Sequence, residues 1–353
     1  MSKIDGKDVF RITGKQTMPD EKPYVSVVIP TYNRSGILPL CLDSLFNQTY
    51  PKDCYEIIII NDGSKDNTED VLREFEKKAP CDFIWASQKN QGITRAENFG
   101  LSKAKGAIVC FTADDCITDK NWILHLVNGF ITDTIGAVGG KVVSYQIITP
   151  IQQFIEDSGV LDQETFAKRN TLITGNAAYW RHILITIGGF DSHLNACEDL
   201  DISIKTQRLG YTLRFIPDAI VQHDHPATVK GFFSQQYRNA IGYVRLHRKY
   251  GQKYDLAYCT SIYWGRILGI LIRYPFTLVS ALVSRKKKYF VLKPLYYVIY
   301  YSAFSWGIIR ETLWGEEYRG YPVQSRIDFM GFMEDKPISS LWEMIIKKVR
   351  KYP

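Results

Sequence analysis

Asp114 and Asp115 stand side by side directly after the apolar run Ala107 to Phe111. Adjacent carboxylates repel each other, so the pair needs either a cation or a helix N-terminus to relieve it. Oxygen ligands of this kind suit Mg2+ or Mn2+, which bind through one or two carboxylates together with substrate phosphates. The alternative is an acidic start to a helix running from Asp119 onward. Glu198, Asp199 and Asp201 crowd three carboxylates into four residues, followed by Lys205 and Arg208. Negative neighbours raise a carboxyl's proton affinity, as a general base requires. The same spacing also gives ordinary helix-face ion pairs such as Asp201–Lys205. His223 and His225 alternate and share a face if the chain is extended, which makes His223 a nitrogen ligand for the same cation or a structural residue. Asp62, in the turn Asn61-Asp62-Gly63-Ser64, can accept from the imide N–H of a uracil or from ribose hydroxyls, although Asp-Gly is also common turn chemistry. Thr31, Tyr32, Asn33 and Arg34 offer backbone N–H groups and an aromatic face to a base, or simply lead into a helix.

The elements that must position these residues alternate in type. Val25 to Ile29 is an apolar β-branched run ended by Pro30, and Ile37, Leu38, Cys41, Leu42, Leu45 and Phe46 then recur at helical spacing. Glu56 to Ile60 reads as a second strand, and Asp66 caps the helix that follows. Phe83 to Ala86, a helix from about Ile93, and the strand Ala107 to Phe111 complete the pattern. Continuous apolar strands alternating with helices predict an α/β fold with a parallel sheet covered on both faces. Ligands of such sheets bind beyond the carboxyl ends of the strands, where Thr31–Arg34, Asn61–Ser64 and Asp114-Asp115 all fall.

In order and spacing, Pro30-Thr31-Tyr32-Asn33-Arg34, Asn61-Asp62-Gly63-Ser64-Lys65-Asp66 and Asn90-Gln91-Gly92 to Asn98-Phe99-Gly100 resemble the nucleotide-binding half of family 2 glycosyltransferases. Phe111-Thr112-Ala113-Asp114-Asp115 resembles that family's DxD metal-binding region. Thr174-Gly175-Asn176, Gly188-Gly189-Phe190-Asp191 and Glu198-Asp199 resemble its acceptor half. The resemblance implies the GT-A fold: a doubly wound, mostly parallel sheet with helices on both faces, over residues 24–250, with a nucleotide-binding half (24–116) and an acceptor half (117–250). It further implies an inverting transfer from a nucleotide-sugar donor, a UDP-sugar first, to an acceptor hydroxyl. Pro30 to Arg34, Asp62, Arg95 and Asp114 would bind the nucleotide. Asp115, with Asp114 supporting it, would hold Mn2+ or Mg2+, and the alternation of His223 with His225 makes His223 the candidate nitrogen ligand beside them. Asp199 would be the catalytic base with Glu198 beside it, and Gly175, Asn176 and Arg238 would meet the sugars.

The sequence also departs from that pattern. Thr112 and Ala113 stand where a fuller DxD motif has its first Asp, and Glu97 stands where the family often has an Arg directly before the Asn. Gln235-Gln236-Tyr237-Arg238-Asn239 only half resembles the Gln-x-x-Arg-Trp motif of processive synthases. The competing readings are therefore a processive polysaccharide synthase and a membrane-docked partner that retains the fold without turnover. A sugar-1-phosphate nucleotidyltransferase would need a Gly-rich phosphate loop after the first strand, and no dinucleotide or Walker-type loop is visible.

The chain has 353 residues, 45% hydrophobic and 23% charged, which excludes disordered and collagen-like classes. Its seven cysteines make no Cys-x-x-Cys pair, so neither zinc nor a disulfide framework is expected, and a reducing compartment follows. The lead-in 1–23 is polar and carries no secretory h-region. In 251–353 the composition shifts: Ile262 to Ser284 and Tyr289 to Ile309 are rich in Leu, Ile, Val and Tyr, yet Arg266 and Arg273 penalise full insertion into a bilayer. Arg285 to Lys288 and Lys347, Lys348, Arg350 and Lys351 form basic runs. They predict attraction to an anionic membrane surface rather than to nucleic acid, or else a solvated face. This region is expected to be an apolar helical segment that associates with the cytoplasmic face of a membrane or forms a homo-oligomer, with a lipid-linked saccharide as the acceptor in cell-surface polysaccharide or glycoconjugate synthesis.

Overall fold

A computed structural model describes residues 22–251, 256–283 and 288–315. Most of the polar lead-in, Arg285 to Lys287 and the C-terminal cations Lys347, Lys348, Arg350 and Lys351 lie outside the described residues. In chain order the first elements are β1 (Val25–Thr31), α1 (Leu38–Phe46), β2 (Tyr55–Asn61), α2 (Thr68–Lys78), β3 (Asp82–Ser87), α3 (Ile93–Lys103), β4 (Ile108–Thr112) and β5 (Cys116–Thr118). Then come α4 (Trp122–Asn128), β6 (Ile135–Ser144), α5 (Pro150–Ser158), α6 (Gln163–Lys168), β7 (Asn176–Trp180), α7 (Arg181–Thr186), α8 (Glu198–Arg208) and β8 (Thr212–His223). Three long helices follow: α9 (Val229–Lys249), α10 (Leu256–Val283) and α11 (Lys288–Trp314).

The eight strands form one sheet in the order β3-β2-β1-β4-β7-β6-β8-β5. The first four are mutually parallel, while β7 runs antiparallel to both β4 and β6. Strand β2 shows why both faces are covered. Ile57 and Ile59 enter one core with Leu38, Leu42 and Trp122, while Ile58 and Ile60 enter the other with Ala96 and Leu101. Successive strand side chains point to opposite faces, so a run of four isoleucines needs apolar partners on both sides. Each fully buried isoleucine contributes about 1.5–3 kcal/mol relative to exposure.

The expected elements appear with small boundary differences. Strand β1 continues through Pro30 to Thr31, since a proline one residue from the strand end removes little of the ladder. Asp66 accepts from the Thr68 backbone N–H at 3.2 Å at the start of α2. The acidic pair Asp114-Asp115 does not begin a helix. The short strand β5 follows it, and the next helix starts at Trp122.

Asn176 corrects an expectation. The resemblance puts it with the sugars, yet it is fully buried, and its amide is consumed inside the sheet. The Trp122 indole N–H donates to its Oδ1 at 2.8 Å, and its Nδ2 donates to the carbonyls of Lys141 and Ala219, each at 2.9 Å. A Cβ at Gly140 would come within 1.9 Å of the Ala219 carbonyl and 2.6 Å of the Asn176 amide, so only glycine lets this staple close. Asn176→Ala should therefore cost about 3 kcal/mol in urea unfolding, by leaving buried partners unpaired. The folded variant should keep its acceptor KM within about twofold.

Helices α9, α10 and α11 form a second body of packing through Ala240, Val244, Tyr263, Ile267, Tyr301, Phe304 and Ile308. The fully buried Glu311 of α11 meets Arg245 Nε at 2.9 Å and Arg310 Nη1 at 3.0 Å. Among the described residues no helix is long and apolar enough to cross a membrane.

Candidate active site

The carboxyl ends of β1, β2 and β4 face the N-terminus of α8 and one side of α9 across a cleft of about 680 Å3. Pro30, Thr31, Tyr32, Arg34, Asp62 and Asp114 line one wall. Glu198, Asp199 and Arg238 line the other, with Gln235, Asn239 and Tyr243 of α9. Two loops on the first wall are laced together by Asn33, which holds a left-handed backbone (φ 53°). Its N–H donates to Ser64 Oγ at 2.9 Å, and its Oδ1 accepts from the Lys65 N–H at 2.7 Å. Asn33 thus shapes this wall by joining its loops.

Asp62 is equally occupied. Its Oδ1 accepts from Gln88 Nε2 (2.7 Å) and the Gln91 N–H (2.9 Å), and its Oδ2 from the Gly92 N–H (2.9 Å). These three bonds pin the loop that leads into α3. Arg95 is exposed on α3 and donates to Gln91 Oε1 at 2.8 Å; it does not line the cleft, which corrects its placement among the nucleotide-binding residues. Gly175 immediately precedes β7, beside the end of β4, and its carbonyl accepts from the Thr112 hydroxyl at 3.1 Å.

Sheet register assembles the acidic centre. Strand β5 pairs with the end of β8 so that Cys116 faces His223, and the Asp224 N–H donates to the Asp115 carbonyl at 2.9 Å. His223 Nε2 thereby comes within 3.5 Å of Asp115 Oδ1. Its Nδ1 lies 3.0 Å from Nδ1 of His225, whose ring burial drives down to about 4 and so keeps neutral. That contact holds the His223 ring with Nε2 aimed at the carboxylate. Arg34 reaches across the cleft mouth, with Nη2 at 3.0 Å from Asp115 Oδ2 and Nε at 3.8 Å from Asp114 Oδ1. Burial and the adjacent Asp115 push the Asp114 carboxyl up to about 7, against the pull of Thr31, Arg34 and the Tyr32 N–H.

This donor set suits a hard divalent cation. Ligand atoms of Asp115, Cys116 and His223 all lie within 4.8 Å of one another. Burial lifts the Cys116 thiol far above its ordinary value, and a soft sulfur is a poor match for hard Mg2+ or Mn2+. One carboxylate and one imidazole remain, with Asp114 behind them, leaving coordination positions for phosphate oxygens.

The second acidic group is sorted by the turn of α8. Asp201 faces the interior, where Lys205 Nζ (3.1 Å), Lys249 Nζ (2.6 Å) and the Tyr250 hydroxyl (2.7 Å) hold it. Glu198 and Asp199 face the cleft instead. They follow Cys197, a non-glycine residue in the left-handed region (φ 62°), a conformation that costs about 1 kcal/mol and aims the first helical turn at the opening. Asp199 Oδ1 accepts from the Leu200 N–H at 2.8 Å. Burial raises its carboxyl to about 6; burial and then Asp199 raise Glu198 to about 8. Asp199 therefore ionises first and is the stronger candidate base. Glu97 of α3, buried and raised by burial and by both neighbours, is a third member that was not singled out as a functional residue. Its signal was weak, an acid on the packed face of an otherwise ordinary helix.

These raised carboxyls destabilise the fold as they ionise. For Glu198, the native state binds more protons than the unfolded chain between the ordinary glutamate range and about pH 8, so stability falls as pH rises through that window. Glu198→Gln should raise unfolding free energy by about 2 kcal/mol at pH 8 and leave it nearly unchanged at pH 4, as read from paired urea titrations.

A family model described as glycosyl transferase family 2 matches residues 26–188, and one described as glycosyl transferase family group 2 matches residues 108–310. Glycosyltransferase AglE of Haloferax volcanii is 29% identical over 232 residues, covering 65% of this chain and 76% of that protein. The probable glycosyltransferase YdaM of Bacillus subtilis is 33% identical over 239 residues, covering 63% of this chain and 56% of its own length. The chain thus spans little more than half of that second relative. Among solved structures, mannosyltransferase PcManGT from Pyrobaculum calidifontis, in complex with GDP-Man and Mn2+, superposes with a TM-score of 0.63. It shares 20% identity and covers 84% of this chain and 89% of its own, a likeness of fold.

Proposed function

The chain belongs to glycosyl transferase family 2, and from that premise we propose that it is an inverting transferase moving a sugar from a nucleoside diphosphate to an acceptor hydroxyl. The observation that carries this reading is one cleft bounded by Asp62 and Asp114 on one wall and by Glu198 and Asp199 on the other. The nucleotide lies against Tyr32 and Asp62, and the pyrophosphate points to the Asp114–Asp115 corner. A divalent cation held by Asp115 and His223 would neutralise the charge that builds on the departing phosphate. PcManGT, which shares the fold, binds Mn2+.

The hydrogen bonds of Asp62 favour a uridine donor. A carboxylate has about four acceptor positions, and three are taken. One remains, matching the single imide N–H of uracil, whereas guanine presents two adjacent donor groups. On the opposite wall, Asp199 takes the proton of the acceptor hydroxyl as its oxygen attacks the anomeric carbon from the face opposite the leaving phosphate. Glu198, with the higher proton affinity, stays protonated beside it. Gln235 and Arg238 face the acceptor side, while Asn239 stands where processive synthases carry a Trp, which favours single additions over polymerisation. The acceptor we put first is a lipid-linked saccharide.

Asp199→Asn should lower kcat by about a thousandfold or more while donor Kd stays unchanged, since the lost step is proton transfer. Near-normal turnover would remove it as base. In the wild type, kcat should climb through about pH 6 as Asp199 ionises, and a flat profile there would point to another group. Asp115→Ala should abolish the Mn2+ dependence of UDP binding measured calorimetrically. Affinity that is equal with and without Mn2+ in the wild type would sink the ligand role.

A further inference from the structure

Helix α10 is apolar on two sides. Tyr263 and Ile267 are buried against Tyr301, Phe304 and Ile308 of α11. On its other side Trp264, Leu268, Leu271, Ile272, Phe276 and Val279 recur at helical spacing and are 49–75% exposed. The stripe is about 22 Å long at 1.5 Å per residue. A helix that packs only by its inner face carries polar residues on the outer one, so a continuous exposed apolar stripe marks an interaction surface.

We propose that this face of α10 docks on an anionic lipid bilayer, lying in the headgroup layer rather than crossing it. The stripe is shorter than the roughly 30 Å hydrocarbon core, and Arg266 and Arg273 break the apolar run of its helix. Trp264, Trp306 and Trp314 are exposed on α10 and α11, and tryptophan favours the boundary between headgroups and acyl chains. Charge selects the occupant. The chain carries a net +7, and Arg285, Lys286, Lys287 and Lys288 follow the stripe directly in sequence. That sign attracts anionic headgroups and opposes a second copy of the same chain. Docking does not depend on glycosyl transfer; only its link to a lipid-borne acceptor rests on the proposed reaction.

Co-sedimentation tests the proposal, using the full chain purified without detergent and vesicles of phosphatidylglycerol mixed with phosphatidylcholine, or of phosphatidylcholine alone. The protein should bind the anionic vesicles, bind the neutral ones more weakly, and be released by salt. The combined variant Leu268→Ser, Leu271→Ser, Ile272→Ser and Phe276→Ser should lose at least about tenfold in partitioning with an unchanged thermal midpoint. Phe276→Asp alone, at the most exposed position, is the second variant and should weaken binding in the same direction. Three results would each overturn the proposal: wild type that stays in the supernatant with both vesicles, variants that bind as tightly as wild type, or a stripe-dependent dimer in light scattering without vesicle binding. Transfer to a water-soluble saccharide, followed in the same variants, distinguishes a failure of docking from a failure of the transferase reading.

Discussion

The cleft depends on holding like charges together where water is scarce. Asp114 and Asp115 sit at one edge, and Glu97, Glu198 and Asp199 at another, all of them largely or wholly buried. Repulsion between unit charges a few ångströms apart grows steeply as the effective dielectric falls. Much of the surrounding architecture manages that cost. Arg34 spans both aspartates, the neutral His225 steadies His223, and the N–H groups of Tyr32 and Leu200 each bond one carboxylate. Under the proposed reaction, a divalent ion arriving with the nucleotide would add positive charge beside Asp114 and Asp115.

Helix α8 shows how one short segment serves stability and chemistry together. Its first turn sends Glu198 and Asp199 outward and Asp201 inward. Asp201 joins Lys205, Lys249 and Tyr250, and Lys249 continues to Asp191 at 2.6 Å. The inward acid is therefore neutralised by lysines on two helices, while the outward acids are left with few partners. Glu198 Oε2 and Glu97 Oε2 are buried without any hydrogen bond. Fixed geometry on the inner side holds the reactive groups in place on the outer side.

The elements from β1 to β4 are legible because their strands are apolar runs and their loops carry turn residues at strand ends. Runs such as Tyr55–Asn61 are committed by their own side chains to burial on two faces. Residues beyond β5 are harder to read. Their strands mix parallel and antiparallel pairings and are interrupted by short helices, so local pattern does not show that Asn176 is the first residue of a buried strand. Arg95 and Glu97 sit two positions apart on α3, and sequence alone does not say which of them turns inward. The packing of Ala96 and Leu101 under the sheet decides it, leaving Glu97 buried and Arg95 in solvent. His223 was suspected only from alternation, and the residue that brings it to Asp115 is its register partner, Cys116. Such pairings are long-range facts that local pattern does not carry.

Gly307 sets the spacing between α11 and α9: a Cβ there would come within 2.6 Å of the Tyr237 carbonyl and 2.7 Å of Ala240 Cβ. Tyr237 and Ala240 flank Arg238 and Asn239, which line the cleft. Any side chain added there would be a wedge that pushes α9, and with it Arg238 and Asn239, away from α11. The position of two cleft-lining residues is thus set by a helix that lies outside the eight-stranded sheet.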